Sequence, residues 1–239
     1  MAKKTNRVKR FFGYVWQMIK EALPSTFMYI CAGTILTMLV FRKKEVAWAG
    51  STITWTVVCI LAAAAYNALI SWAQGGTHYE MLVSGNVKRS TAELYGTGYK
   101  ISSHKEAKEY RVWKGFVIGA IPALMPLLTG LGFGLSFTPS TTQLNPSALV
   151  GLLCSGWSVL PLYCMNQSGA AISYFVSMAF AILPIAVSGG FYIAGAYARR
   201  NKALRQQILA DKAAEAEANK VKKINYGGLP GTKPKKKRK

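Results

Sequence analysis

ALVGLLCSGWSVLPLYCMNQSGAAISYFVSMAFAILPIAVSGGFYIAGAYA, residues 148–198, contains no acidic, basic or histidine side chain along its whole length. A helix that crosses the hydrocarbon core of a bilayer needs about 20 mostly apolar residues. This stretch is far too long for one crossing and must fold back on itself. Gly156 and Pro161 interrupt its first part, Asn166-Gln167-Ser168-Gly169 divides it, and Arg199-Arg200 ends it. Pro184, Gly189 and Gly190 weaken the middle of the second part.

Working outward, three further apolar blocks cover residues 25–41, 46–73 and 115–137. The whole chain is 51% apolar and 16% charged, with the charges gathered between or beside the blocks. That pattern belongs to a polytopic, all-α membrane bundle. The second block is joined to the first by a tight turn at Arg42-Lys43-Lys44-Glu45, so the two form an antiparallel hairpin.

Charge sets the number of crossings. Residues 1–20 carry six cations and no acid, and residues 198–239 carry fourteen cations against three acids. Cationic segments stay on the cytoplasmic side. Both ends and the polar segment 75–114 are therefore expected there, in a bacterial cytoplasmic membrane. That requires four full spans plus a re-entrant or broken hairpin over 147–168 that enters and leaves on the outer side. The alternative is five full spans with the tail outside. The expected division is a basic interfacial helix (1–24), a transmembrane hairpin (25–74), a cytoplasmic loop (75–114), a second transmembrane region (115–198, its final span 169–198) and a basic helix with a disordered tail (199–239).

In the N-terminal segment Val8, Phe11, Phe12, Val15, Trp16, Ile19 and Leu23 share one face of a helix, while Arg7, Lys9, Arg10, Gln17 and Lys20 lie elsewhere on the wheel. Such a helix suits the lipid interface, with Pro24 turning the chain inward. Phe11, Phe12, Trp16, Arg7, Arg10 and Lys20 are the expected membrane-surface residues. No small-x-small cleavage site follows the first block, so a retained anchor is expected.

The loop contains two S-x-x-E capping boxes, Ser90 with Glu93 and Ser103 with Glu106, the second starting a helix able to run into the third span. Its glycines match no phosphate-binding loop. His78 and His104 read as surface histidines. The cysteines Cys31, Cys59, Cys154 and Cys164 stand singly in apolar blocks, as buried small hydrophobes do, so neither a metal site nor a disulfide is expected. In span 2, Asn67, Ser71 and Gln74 form one polar stripe, read first as interhelical hydrogen bonding. Span 3 combines Pro122 and Pro126 with Gly115-xxx-Gly119 and Gly130-xxx-Gly134, which permit close helix approach.

Cations and carboxylates all fall outside or at the edges of the blocks, which counts against proton relays and voltage sensing. No nucleophile stands with a base, so catalysis is not expected and no cofactor is implied. The expected function is that of a non-enzymatic accessory, assembly or regulatory component, a homo-oligomer or subunit of a membrane complex. Its basic face would bind anionic lipid or an acidic partner; no fold signature points to nucleic acid. The alternative is an oligomeric transporter or channel for a neutral solute or an ion. In that case Ser155, Ser158, Tyr163, Asn166 and Gln167 of the broken hairpin, with Asn67 and Ser71, would line the route.

Overall fold

The computed structural model describes residues 2–42, 48–84, 109–136 and 146–225. Among them all regular structure is helical: α1 (Ala2–Phe41), α2 (Gly50–Ser84), α3 (Lys114–Ser136), α4 (Pro146–Gln167), a 3-10 helix (Tyr174–Ala181) and α5 (Ile182–Asn225). Among the described residues five helical stretches are long and apolar enough to cross a membrane. The chain divides into a bundle, residues 1–197, and a second unit, residues 198–239. In the second unit the described side chains are almost all exposed, Leu204, Ile208 and Leu209 among them.

The bundle buries small and polar side chains and exposes large apolar ones. Met38, Leu61, Leu69, Leu128 and Ile182 are each more than 60% exposed, whereas Ala63, Asn67, Ser155, Ser158 and Ser188 are fully buried. Water would not tolerate so large an apolar surface, but a bilayer supplies no hydrophobic force between helices and rewards close backbone approach. The glycines of α3 show how this works. A Cβ on Gly119 would lie 2.6 Å from the Pro184 carbonyl oxygen, and one on Gly134 would lie 2.6 Å from the Phe175 ring. Gly115 faces Tyr192 and Gly130 faces Ser177 and Met178. The 3-10 helix and the start of α5 thus run antiparallel along the glycine edge of α3. Against α2 the sense is parallel: Asn67 meets Pro184, Ser71 meets Ser188 and Gly75 meets Tyr192.

α4 is broken at Ser155, whose backbone is non-helical (φ −138°, ψ 33°). Contacts with α1 give its course. The Leu152 and Leu153 carbonyls, at 3.0 Å, share the Thr37 and Thr34 hydroxyls with the Gly33 and Ile30 carbonyls of α1 itself (2.7 and 2.9 Å), Gly156 packs on Gly33, and Trp157 packs on Tyr29. After the break Tyr163 stands against Phe41, and Ser168 Oγ accepts from the Trp48 amide at 2.8 Å. The break falls one residue before Gly156, and Pro161 is carried within the helix. Backbone groups at a break in membrane depth must be satisfied inside the protein, and the two threonine hydroxyls reach the carbonyls just ahead of this one. Thr37→Val keeps the shape and removes the hydroxyl. It is expected to cost about 1–2 kcal/mol in reversible unfolding of the detergent-solubilised protein, whereas the same change at exposed Thr54, which bonds only within its own helix, should be nearly neutral.

Four expectations about helix limits are corrected. α1 continues through Pro24 instead of turning there. A proline inside a helix costs about 3 kcal/mol, and here burial of Met18, Ala22, Tyr29 and Leu36 along one helix outweighs it. α2 runs on from Ala73 to Ser84, because the expected loop glycines Gly75 and Gly76 are buried. Residues 109–113 are not helical, so no helix from Ser103 runs unbroken into α3. The final span opens as a 3-10 helix, placing its irregularity ahead of Pro184. The capping boxes and the tail end 226–239 lie outside the described residues.

Candidate functional site

At the end of the bundle where α2 finishes and α3 begins, four polar side chains that the sequence scatters widely meet in the interior. Lys114, the first residue of α3, is completely buried. Its Nζ lies 3.1 Å from Glu21 Oε2 on α1 and 3.2 Å from His78 Nδ1 on α2. Nε2 of His78 is 3.4 Å from Glu21 Oε1, and its Nδ1 is 2.9 Å from the Tyr192 hydroxyl on α5. Gln17 donates to Glu21 Oε1 at 3.1 Å, and Gln74 donates to the Glu21 backbone carbonyl at 2.8 Å.

Local sequence explains how such bulky groups fit. Gly75 and Gly115 have no side chain where Tyr192 passes, so its ring reaches His78. Tyr110, just ahead of α3, stacks on the Tyr192 ring (centroids 5.3 Å apart, planes 9° apart), and its amide donates to the His78 carbonyl at 3.2 Å. Burial, and secondarily the Tyr197 phenol, raises the Tyr110 phenol above its ordinary range and keeps it neutral. Charges cost several kcal/mol to bury and are retained where each has partners. Here one carboxylate is held by an ammonium, an imidazole and an amide.

The cluster overturns the surface reading of His78, which is 5% exposed. It also revises the expectation that charged side chains stay clear of the bundle interior. One signal was present in the chain: the stripe Asn67, Ser71, Gln74 continues in helical register to His78. Nothing in the sequence paired that stripe with Glu21 or Lys114.

Residues of the stripe hydrogen-bond between helices. Asn67 donates to the Pro184 carbonyl at 3.3 Å, and Ser71 lies 3.0 Å from the Ser188 hydroxyl. In α4, Ser155 hydrogen-bonds with Thr129, and Ser158 donates to the Ser155 carbonyl at 3.0 Å. Asn166 clasps the backbone of Ile172 through both ends of its amide. Tyr163 is buried, with Gln167 beside its phenol. These residues form two separate groups, one around α2 and one along α4, and each is engaged with neighbouring protein groups.

On α1, Phe11 and Phe12 (each 65% exposed) and Trp16 lie uncovered, and Lys20 Nζ sits 5.6 Å from the Trp16 ring centre. The side chains of Arg7 and Arg10 lie outside the described residues. A groove of about 560 Å³ between α2 and α5 is lined by Ala65, Ala68, Leu69, Trp72, Phe191 and Ala194. No group of three or more potential metal ligands gathers among the described residues, and the four cysteines are free. The chain matches no known protein family, and no curated protein or solved structure is significantly similar to it.

Proposed function

We propose that this protein is a non-enzymatic component of a membrane, an accessory, assembly or regulatory subunit or a homo-oligomer, whose basic cytoplasmic side binds anionic lipid. The observation that carries the reading is the bare aromatic face of α1: Phe11, Phe12, Trp16 and Leu23 are all more than half exposed, while Gln17, Met18 and Ala22 on the other side of the helix are buried. Aromatic side chains with adjacent cations settle at the headgroup level of a bilayer. Each Lys or Arg near an anionic surface adds about 1 kcal/mol of attraction.

Four full spans with both ends cytoplasmic are part of the same reading. Three features support it: α3 and the final helix are antiparallel, α2 and the final helix are parallel, and the α1 partners of α4 run from Thr37 to Tyr29 and then return to Phe41. A hairpin that dips into the membrane and leaves on the side it entered would make those contacts in that order.

Thermal unfolding in nanodiscs tests the lipid reading. Phosphatidylglycerol is expected to raise the transition by several degrees over phosphatidylcholine, and the combined change Phe11→Ala, Phe12→Ala, Trp16→Ala should remove most of that difference. Equal transitions in both lipids would sink the proposal. Passage of a solute along the α4 break is the second reading. It has less support, because the hydroxyls and amides there are already engaged with one another.

A further inference from the structure

The ionic cluster is the foot of a longer buried seam. Glu21, Ser25 and Tyr29 follow one another at four-residue steps on α1, and each faces the bundle interior. Opposite them run the α2 stripe from Asn67 to His78 and, on α5, Ser188 and Tyr192, all hydrogen-bonded across helices. The upper limit of the seam is Tyr29, whose ring lies 5.0 Å from Trp157 just beyond the α4 break. Several groups along it have capacity to spare. Ser25 Oγ, Gln74 Oε1 and Trp157 Nε1 are buried with no hydrogen-bond partner among the described residues, and the Tyr29 hydroxyl lies beside the Asn67 amide.

We propose that Glu21, His78 and Lys114 together form a proton-binding site, served by this seam. With a neutral imidazole the cluster balances: Glu21 carries one negative charge, Lys114 one positive charge, and one ring nitrogen of His78 donates while the other accepts. An added proton goes onto the accepting nitrogen. On Nδ1 it displaces both donors that meet that nitrogen: the Tyr192 hydroxyl turns to accept, and the Lys114 ammonium loses its bond there. The cluster then has two cations, 3.2 Å apart, sharing one carboxylate. Lys114 is released from part of its hold on Glu21, and with it the first turn of α3. The charged and titratable groups around the site are Glu21 from α1, Lys114 from α3, Tyr192 from α5, and Tyr110 from the segment before α3. Tyr14 and Arg111 are neighbours of Tyr192.

The chain has only two histidines, which makes the site directly observable. The full-length His104→Gln protein, labelled with 15N-histidine and placed in nanodiscs, reports His78 alone. The expected result is a reversible, single-proton change of the imidazole 15N shifts on acidification, while tryptophan fluorescence shows the protein folded. Withdrawing or removing the carboxylate with Glu21→Asp or Glu21→Gln should lower the midpoint, by about one pH unit for the glutamine variant. The proposal is overturned if the imidazole keeps one neutral tautomer to pH 5, if it takes up a proton only as the protein unfolds, or if its midpoint in whichever Glu21 variant folds is unchanged. The outcome does not depend on whether α1 binds anionic lipid.

Discussion

Lys114→Met is expected to destabilise the bundle by about 3–5 kcal/mol, the cost of removing one partner from a buried ion pair. Methionine fills nearly the same volume as the lysine stem, so little of the loss would come from packing. What remains is the Glu21 carboxylate, largely buried and deprived of the ammonium 3.1 Å away, with only the donors on His78 and Gln17 to hold it. Glu21→Gln alone strands the ammonium in the same way. The double variant leaves no lone charge, and it should be much less destabilised than the two single effects added together. That difference reports coupling rather than generic damage. Equilibrium unfolding of the purified protein in mixed micelles measures all three. A Lys114→Met protein within 1 kcal/mol of the parent would show that Lys114 reaches solvent by another rotamer.

Gly75→Ala is the second large effect. The added methyl group would fall on the Tyr192 backbone carbonyl, and no rotamer change can move a carbonyl. α5 must therefore shift away from α2, which draws the Tyr192 hydroxyl from His78 and loosens the Ser71–Ser188 contact. Overpacking of this kind costs about 1–3 kcal/mol. Gly132→Ala is the matched control: nothing lies within reach of its Cβ, and alanine in a helix interior is favoured over glycine by about 0.5–1 kcal/mol. Both substitutions add the same methyl group, and opposite signs in the same unfolding assay are expected. A loss at Gly132 as large as that at Gly75 would mean that the close approach of α2 and α5 is not what sets the cost.

The helices were legible because the bilayer imposes a length. A window of apolar residues placed the third span at 115–137, and the structure starts α3 at Lys114. The division at Asn166-Gln167-Ser168-Gly169 followed from the turn chemistry of those residues: α4 ends at Gln167, and Gly169 has the positive φ that glycine permits (92°). The same windows concealed the ionic cluster. Hydropathy counts Glu21, His78 and Lys114 as the ends of apolar blocks and so assigns each to a loop or an interface. Whether an end residue is buried depends on a partner far along the chain; Glu21 and Lys114 are 93 positions apart. Pro24 misled for a related reason. A local rule marks it as a break, but tertiary packing along α1 decides against one.

The most direct measurement is thiol accessibility in intact cells, using single cysteines at Gln167 and at Lys202 in a chain whose four native cysteines have been replaced. With four full spans and both ends cytoplasmic, Gln167→Cys reacts with a membrane-impermeant maleimide from outside, and Lys202→Cys reacts only after permeabilisation. If Lys202→Cys reacts in intact cells while Gln167→Cys is protected, the chain crosses five times, and the reading of α4 as a hairpin that returns to its own side is wrong.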